Sequence, residues 1–170
     1  PLKYSFKQVT IKTVSAEDDL AVTQFIESLL APNTDARIFE IVSYAILRYY
    51  YHDQTVYFGF DLEHIQPENL RLYKTGRTNA NDGGIDFVMR PLGRFFQVTE
   101  TLDVKKYFLD IDKIERFPIS FVIKSEENVD TLTQKLHQGA IKQFAINAIV
   151  EKYMKSIEEI INIPILSERF

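Results

Sequence analysis

The chain contains no cysteine. Disulfides, thiolate metal sites and a cysteine nucleophile are therefore excluded, and a reducing compartment fits. Histidine is scarce: His52, His64 and His137 lie far apart, and no His-Glu-x-x-His pattern is present. A zinc site is thus not expected, and any bound metal should be a hard, oxygen-liganded cation such as Mg²⁺. Glycine and proline are few, six of each, which suits a globular chain rather than a disordered one. No apolar run reaches the ~18 residues of a membrane span. The opening Pro1-Leu2-Lys3-Tyr4-Ser5 lacks a signal-peptide pattern, so a cytoplasmic, prokaryotic-type location is the expectation. The first residue is not methionine. Either an initiator was removed, or the chain is a piece of a longer protein.

What is present is enough for one domain. Of 170 residues, 45% are hydrophobic and 26% charged, and a chain of this length buries about 70% of its unfolded surface. The net charge of −4 counts against purely electrostatic nucleic-acid binding, which rests on phosphate neutralisation by Lys and Arg. Local basic clusters beside an acidic metal site remain compatible with it.

Tyr4 to Val14 reads as a strand or arm, and Ser15 as the N-cap of a helix carrying Leu20, Phe25, Ile26, Leu29 and Leu30. Pro32-Asn33-Thr34 ends that helix. A second helix spans Asp35 to Tyr51, with Ile38, Ile41, Val42, Ala45, Ile46 and Tyr49 as its apolar face and Glu40 on its flank. Thr55 to Phe60 has strand composition. Residues 61–74 give no clear signal, and 75–84 form a polar, Gly-bearing loop. Two strands, Ile85–Met89 and Arg94–Thr99, are joined by a hairpin turn at Arg90-Pro91-Leu92-Gly93. A helix from Asp103, a buried parallel strand over Pro118–Lys124 and a long helical region over about 130–161 follow, the last divided around Gly139. The expected fold is one α/β domain over 1–170: a small mixed sheet flanked by helices, with its core at about 35–125.

The chemistry-bearing segment is Asn81-Asp82-Gly83-Gly84-Ile85-Asp86, followed across the turn by Phe96-Gln97-Val98-Thr99-Glu100. Phosphodiester hydrolysis needs a metal to polarise the phosphate and activate a water. A carboxylate on one strand and an acceptor on its neighbour, about 4.8 Å away, can converge on one ion. Gln97 and Thr99 share a face by the strand's period of two, and the backbone carbonyl of Val98 adds a third oxygen.

This segment resembles the PD-(D/E)xK nuclease superfamily, in its restriction-endonuclease and Mrr-like branch. There a Gly-Gly-Ile-Asp strand precedes a strand ending in Gln-x-Lys. The looser resemblance runs from about Glu40 to Lys124. It implies a restriction-endonuclease-like core, metal-dependent cleavage of double-stranded DNA, and Mg²⁺ as cofactor with Mn²⁺ able to substitute. It gives Asp86 the role of metal ligand, Gln97 that of its partner and Glu40 that of an added carboxylate from the preceding helix. The family's lysine falls on Thr99 here. Three explanations stand side by side: Lys105, Lys106 or Lys124 has taken the role, Glu100 or Thr99 orients water instead, or the domain is an inactive copy.

Lys74, Arg77, Asn79 and Asn81 are candidate DNA contacts, because Arg and Asn read base edges and also suit phosphates. Tyr49, Tyr50 and Tyr51 are expected to pack rather than stack on bases. Two rival functions are a non-catalytic nucleic-acid-binding module on the same fold and a helical protein-interaction domain. The stripe Phe144, Ile146, Ile149, Val150, Tyr153, Ile157 and Ile160 is either the face that pairs two copies as a homodimer, which suggests the latter, or ordinary core.

Overall fold

The computed structural model describes residues 16–76, 85–114 and 117–170. The strand expected at Tyr4–Val14 and the Ser15 cap lie outside these residues. The elements are α1 (Ala16–Leu30), α2 (Ala36–Tyr51), β1 (Thr55–Phe58), β2 (Gln66–Asn69), β3 (Arg71–Lys74), β4 (Phe87–Arg90), β5 (Arg94–Thr99), α3 (Val104–Lys113), β6 (Ile119–Ile123), α4 (Val129–Phe144), α5 (Asn147–Met154), β7 (Ile157–Ile161) and α6 (Ile163–Arg169). The architecture is mixed α/β. The main sheet has the order β3-β4-β5-β6-β7, antiparallel from β3 to β5 and parallel from β5 to β7, while β1 and β2 form a separate antiparallel pair among the described residues.

Alternation along the strands separates two cores. Phe96, Val122 and Ile161 face α1, α2 and α6, whereas Phe95, Phe121 and Ile160 face α3, α4 and α5. All five residues of β6 are buried, as a central parallel strand covered on both sides requires. The β4–β5 hairpin closes through Gly93, whose φ of 69° is left-handed and whose N–H bonds the Met89 carbonyl at 2.9 Å. Asp35 caps α2 through the Arg37 N–H, and Asp103 caps α3 through the N–H groups of Lys105 and Lys106. Among the described residues no helix is long and apolar enough to cross a membrane.

Three expectations need correction. First, the buried face of α2 is Phe39, Glu40, Val42, Ser43, Ile46, Leu47 and Tyr51, while Ile38, Ile41 and Tyr49 are exposed. Two apolar stripes competed, and the one holding Glu40 went inside because a lysine neutralises its carboxylate there. Second, the region 130–161 is not wholly helical. Residues 157–161 form β7, which completes the sheet beside β6. The spacing of Ile157, Ile160 and Ile161 fits a helix as well as a strand, and the open edge of β6 decided between them.

Third, α4 runs through Gly139 and breaks at Ala145, which takes a left-handed φ of 51°. Gly139 is required for packing: a Cβ there would lie 2.5 Å from Val104 Cγ2 on α3. The supposed dimer stripe is largely internal. Val150, Tyr153 and Ile160 are buried and Phe144 and Ile157 pack on them, leaving only Ile146 and Ile149 of the stripe exposed.

Candidate functional site

Asp86 sits one residue before β4, where the ladder between β4 and β5 begins. Its backbone is held on both flanks: its carbonyl accepts from the Thr75 N–H at 3.0 Å, and its N–H donates to the Phe96 carbonyl at 2.9 Å. One step further along β5, the Val98 N–H has no strand residue opposite it. The Asp86 carboxylate fills that place, Oδ2 accepting from Val98 N at 2.7 Å. A side chain thus takes over where the β4 backbone departs. Asp is disfavoured inside strands but suits this terminal position.

The N–H and carbonyl of one strand residue point to the same side, so the Val98 carbonyl opens toward the same gap. Gln97 Nε2 donates to it at 3.1 Å. Gln97 is 5% exposed, and its Oε1 is buried without a hydrogen-bond partner among the described residues. Such an orphaned acceptor costs about 1–3 kcal/mol and calls for a partner. The structure therefore brings together the three residues expected to hold metal, Asp86, Gln97 and Val98. The donor set fits a hard cation: a carboxylate, an amide oxygen and a carbonyl oxygen. The formal charge is low. Among the described residues no group of three or more His, Asp or Glu side chains could hold an ion.

Thr99, at the family's lysine position, is 6% exposed and donates its hydroxyl to the Thr101 carbonyl at 2.8 Å. It lies beside Tyr107 of α3, whose phenol is pushed far up in pKa by burial, against the opposing effect of the Thr99 hydroxyl. A committed, buried hydroxyl is poorly suited to orienting water.

The expected lysines are distributed differently. Lys105 and Lys106 are exposed in the first turn of α3, and neither hydrogen-bonds or ion-pairs with Asp86 or Gln97 through its side chain. Lys124 follows β6 and donates its N–H to the Thr99 carbonyl at 2.9 Å. Its side chain is 7% exposed and holds Glu100 at 2.6 Å together with the Thr34 carbonyl. This lysine and Glu100 tie the ends of β5 and β6 to the turn before α2.

Glu40, expected as an added catalytic carboxylate, is buried and paired with Lys74 at 2.6 Å. Lys74 was expected in the polar loop as a DNA contact. It ends β3 instead, opposite Phe87 and so adjacent to the start of β4, with its ammonium 6.0 Å from the Tyr44 ring centre. Burying the Glu40 carboxylate is tolerable because the half-buried Lys74 neutralises it. Arg77, Asn79 and Asn81 lie outside the described residues. Comparison with protein families, with curated proteins and with solved structures found no match.

Sequence reasoning named Lys74 as a DNA contact but missed its pairing with Glu40, along with the arginines of β3 and β4. The signal was weak: in Leu70-Arg71-Leu72-Tyr73-Lys74 the lysine falls on the face of the two leucines and so departs from an apolar–polar alternation. The strand is only four residues long and follows directly on β2, so its pattern had little length in which to register.

Proposed function

We propose that this chain is a metal-dependent endonuclease of the PD-(D/E)xK kind, acting on double-stranded DNA with Mg²⁺, for which Mn²⁺ can substitute. The observation that carries the reading is the convergence of the Asp86 carboxylate, the Gln97 amide and the Val98 carbonyl at the mouth between β4 and β5. The order α2, antiparallel β4–β5, α3, parallel β6 supports it, because the resemblance implies a helix, a hairpin, a helix and a strand. Asp86, Gln97 and Val98 would hold the ion, which when bound supplies an acidified water and a polarised phosphate. Lys74 takes the charge-stabilising role that Thr99 cannot, with Glu40 positioning its ammonium.

The test is plasmid cleavage in Mg²⁺ and in Mn²⁺. Asp86→Asn keeps an acceptor for the Val98 N–H while removing the charge, so it should fold normally and lose at least ~100-fold in cleavage. Unchanged cleavage by a folded Asp86→Asn protein would sink the reading.

A second reading, a non-catalytic DNA-binding module on the same fold, is favoured by the burial of Thr99 and by a site with one carboxylate. It predicts metal-independent binding and no cutting with either ion.

A further inference from the structure

The β3–β4 edge of the main sheet carries arginines that the fold itself does not use. Arg71 and Arg90 are direct partners in the antiparallel register, which sets their Cβ atoms about 5 Å apart on one face. Both are exposed, and neither makes a side-chain hydrogen bond or ion pair among the described residues. Like charges placed directly opposite one another destabilise a sheet. A local rule broken without internal compensation points to function, here to a ligand that brings the counter-charge.

The surroundings agree. Two open hollows, of about 520 and 510 Å³, flank β3 and share Asn69, Arg71 and Tyr73. The first includes Arg90, and the second reaches Arg48 on α2, which is also exposed and unpaired among the described residues. Among the residues lining the two hollows, Glu68 is the one carboxylate. Three guanidiniums without a partner among the described residues therefore form a continuous band around the sheet edge.

We propose that this band binds the sugar-phosphate backbone of duplex DNA and positions it relative to Asp86. The choice of DNA rests on the nuclease reading above. Guanidinium forks match phosphate oxygens in a bidentate way. With a net charge of −4, the chain cannot gather a polyanion by overall attraction, so a local basic band is needed. The Arg71–Arg90 pair stands three residues from the Lys74–Phe87 pair beside Asp86, about 10 Å along the strands.

The experiment is fluorescence anisotropy of a short labelled duplex with the whole chain in EDTA, across a series of salt concentrations. The wild type should bind with an affinity that falls linearly in log–log form with salt. Arg71→Gln combined with Arg90→Gln should reduce that slope by about 1.8, at ~0.9 per lost phosphate contact, and weaken low-salt binding about tenfold or more. Glu68→Gln should tighten it. Both arginines are exposed, and an unchanged thermal midpoint for the double variant would show that folding is intact. An unaltered slope in that folded variant overturns the proposal. So does failure of the wild type to bind, or tighter binding of a single-stranded RNA of equal length. The nuclease reading fails separately: a chain that binds duplex through these arginines but cuts nothing in Mg²⁺ or Mn²⁺ keeps the band and loses the enzyme.

Discussion

Arg94 and Arg169 on one side of the sheet behave very differently from Arg71 and Arg90 on its far edge. Arg94 bonds Glu158 and reaches Glu159 at 4.0 Å and the Tyr51 hydroxyl at 3.3 Å. Arg169 bonds Glu159, approaches the same hydroxyl at 3.4 Å and lies 4.7 Å from the centre of the Tyr50 ring. Burial alone would lower the pKa of both guanidiniums, but their glutamate partners carry it above the ordinary value. Tyr51 between them is held protonated, first by burial and then by Glu159. This cluster pins α6 and β7 to α2. Arg71 and Arg90 make no such bond among the described residues. Charges that hold a fold together are matched inside it, whereas charges kept unmatched at a cost are available for a partner.

The contrast can be broken by experiment, most strongly on the matched side. Glu159→Ala leaves two half-buried arginines short of a counter-ion. A loss of about 2 kcal/mol is expected, discounted from the ~3–5 kcal/mol of a fully buried pair because Glu159 is 26% exposed. For a chain of this length that is a drop in Tm of roughly 4–8 °C, read by thermal unfolding. A shift near zero would mean that the cluster does not hold the fold.

Asp110 is an intermediate case, a buried carboxylate whose partner Lys113, at 3.1 Å, is half exposed. Burial raises its pKa above 3.8, with Lys113 and Lys106 opposing. The native state therefore holds the proton more tightly than the unfolded chain. This group's contribution to stability falls as pH rises from about 4 through the raised value, and it stays low at neutrality. Asp110→Asn should thus be more stable than the wild type at pH 7 and equal to it near pH 3. Urea midpoints at the two pH values would show it, and an Asn variant weaker at pH 7 would reverse the sign.

The smallest effect belongs to the unmatched side. Arg71→Gln should change stability by no more than about 0.5 kcal/mol, in the stabilising direction, because it relieves the repulsion with Arg90. Chemical denaturation can resolve that direction. A large loss would mean that Arg71 has a structural role, and the contrast with Arg169 would disappear.

Much of the candidate site was legible before the fold. Asp86 and Gln97 stood out through the Gly-Gly-Ile-Asp and Gln-x-Thr segments that carry the resemblance, and the segments opening at Asp35 and Asp103 announced α2 and α3. The rest was illegible for physical reasons. The buried face of α2 depended on Lys74, a residue 34 positions away. The strand β7 depended on an unoccupied edge of β6. The continuity of α4 through Gly139 depended on Val104 needing the space a side chain would fill.

The sequence alone determined the local features: where the helices start, which segments alternate, and that no thiolate can hold a metal. Those follow from bonding and periodicity within a few residues. Only the tertiary structure decided which charges are matched. That the Val98 N–H falls to Asp86, that Glu40 and Lys74 neutralise each other, and that Arg71 faces Arg90 are consequences of strand register. Register is set by burial across the whole sheet, and no short stretch of sequence contains it.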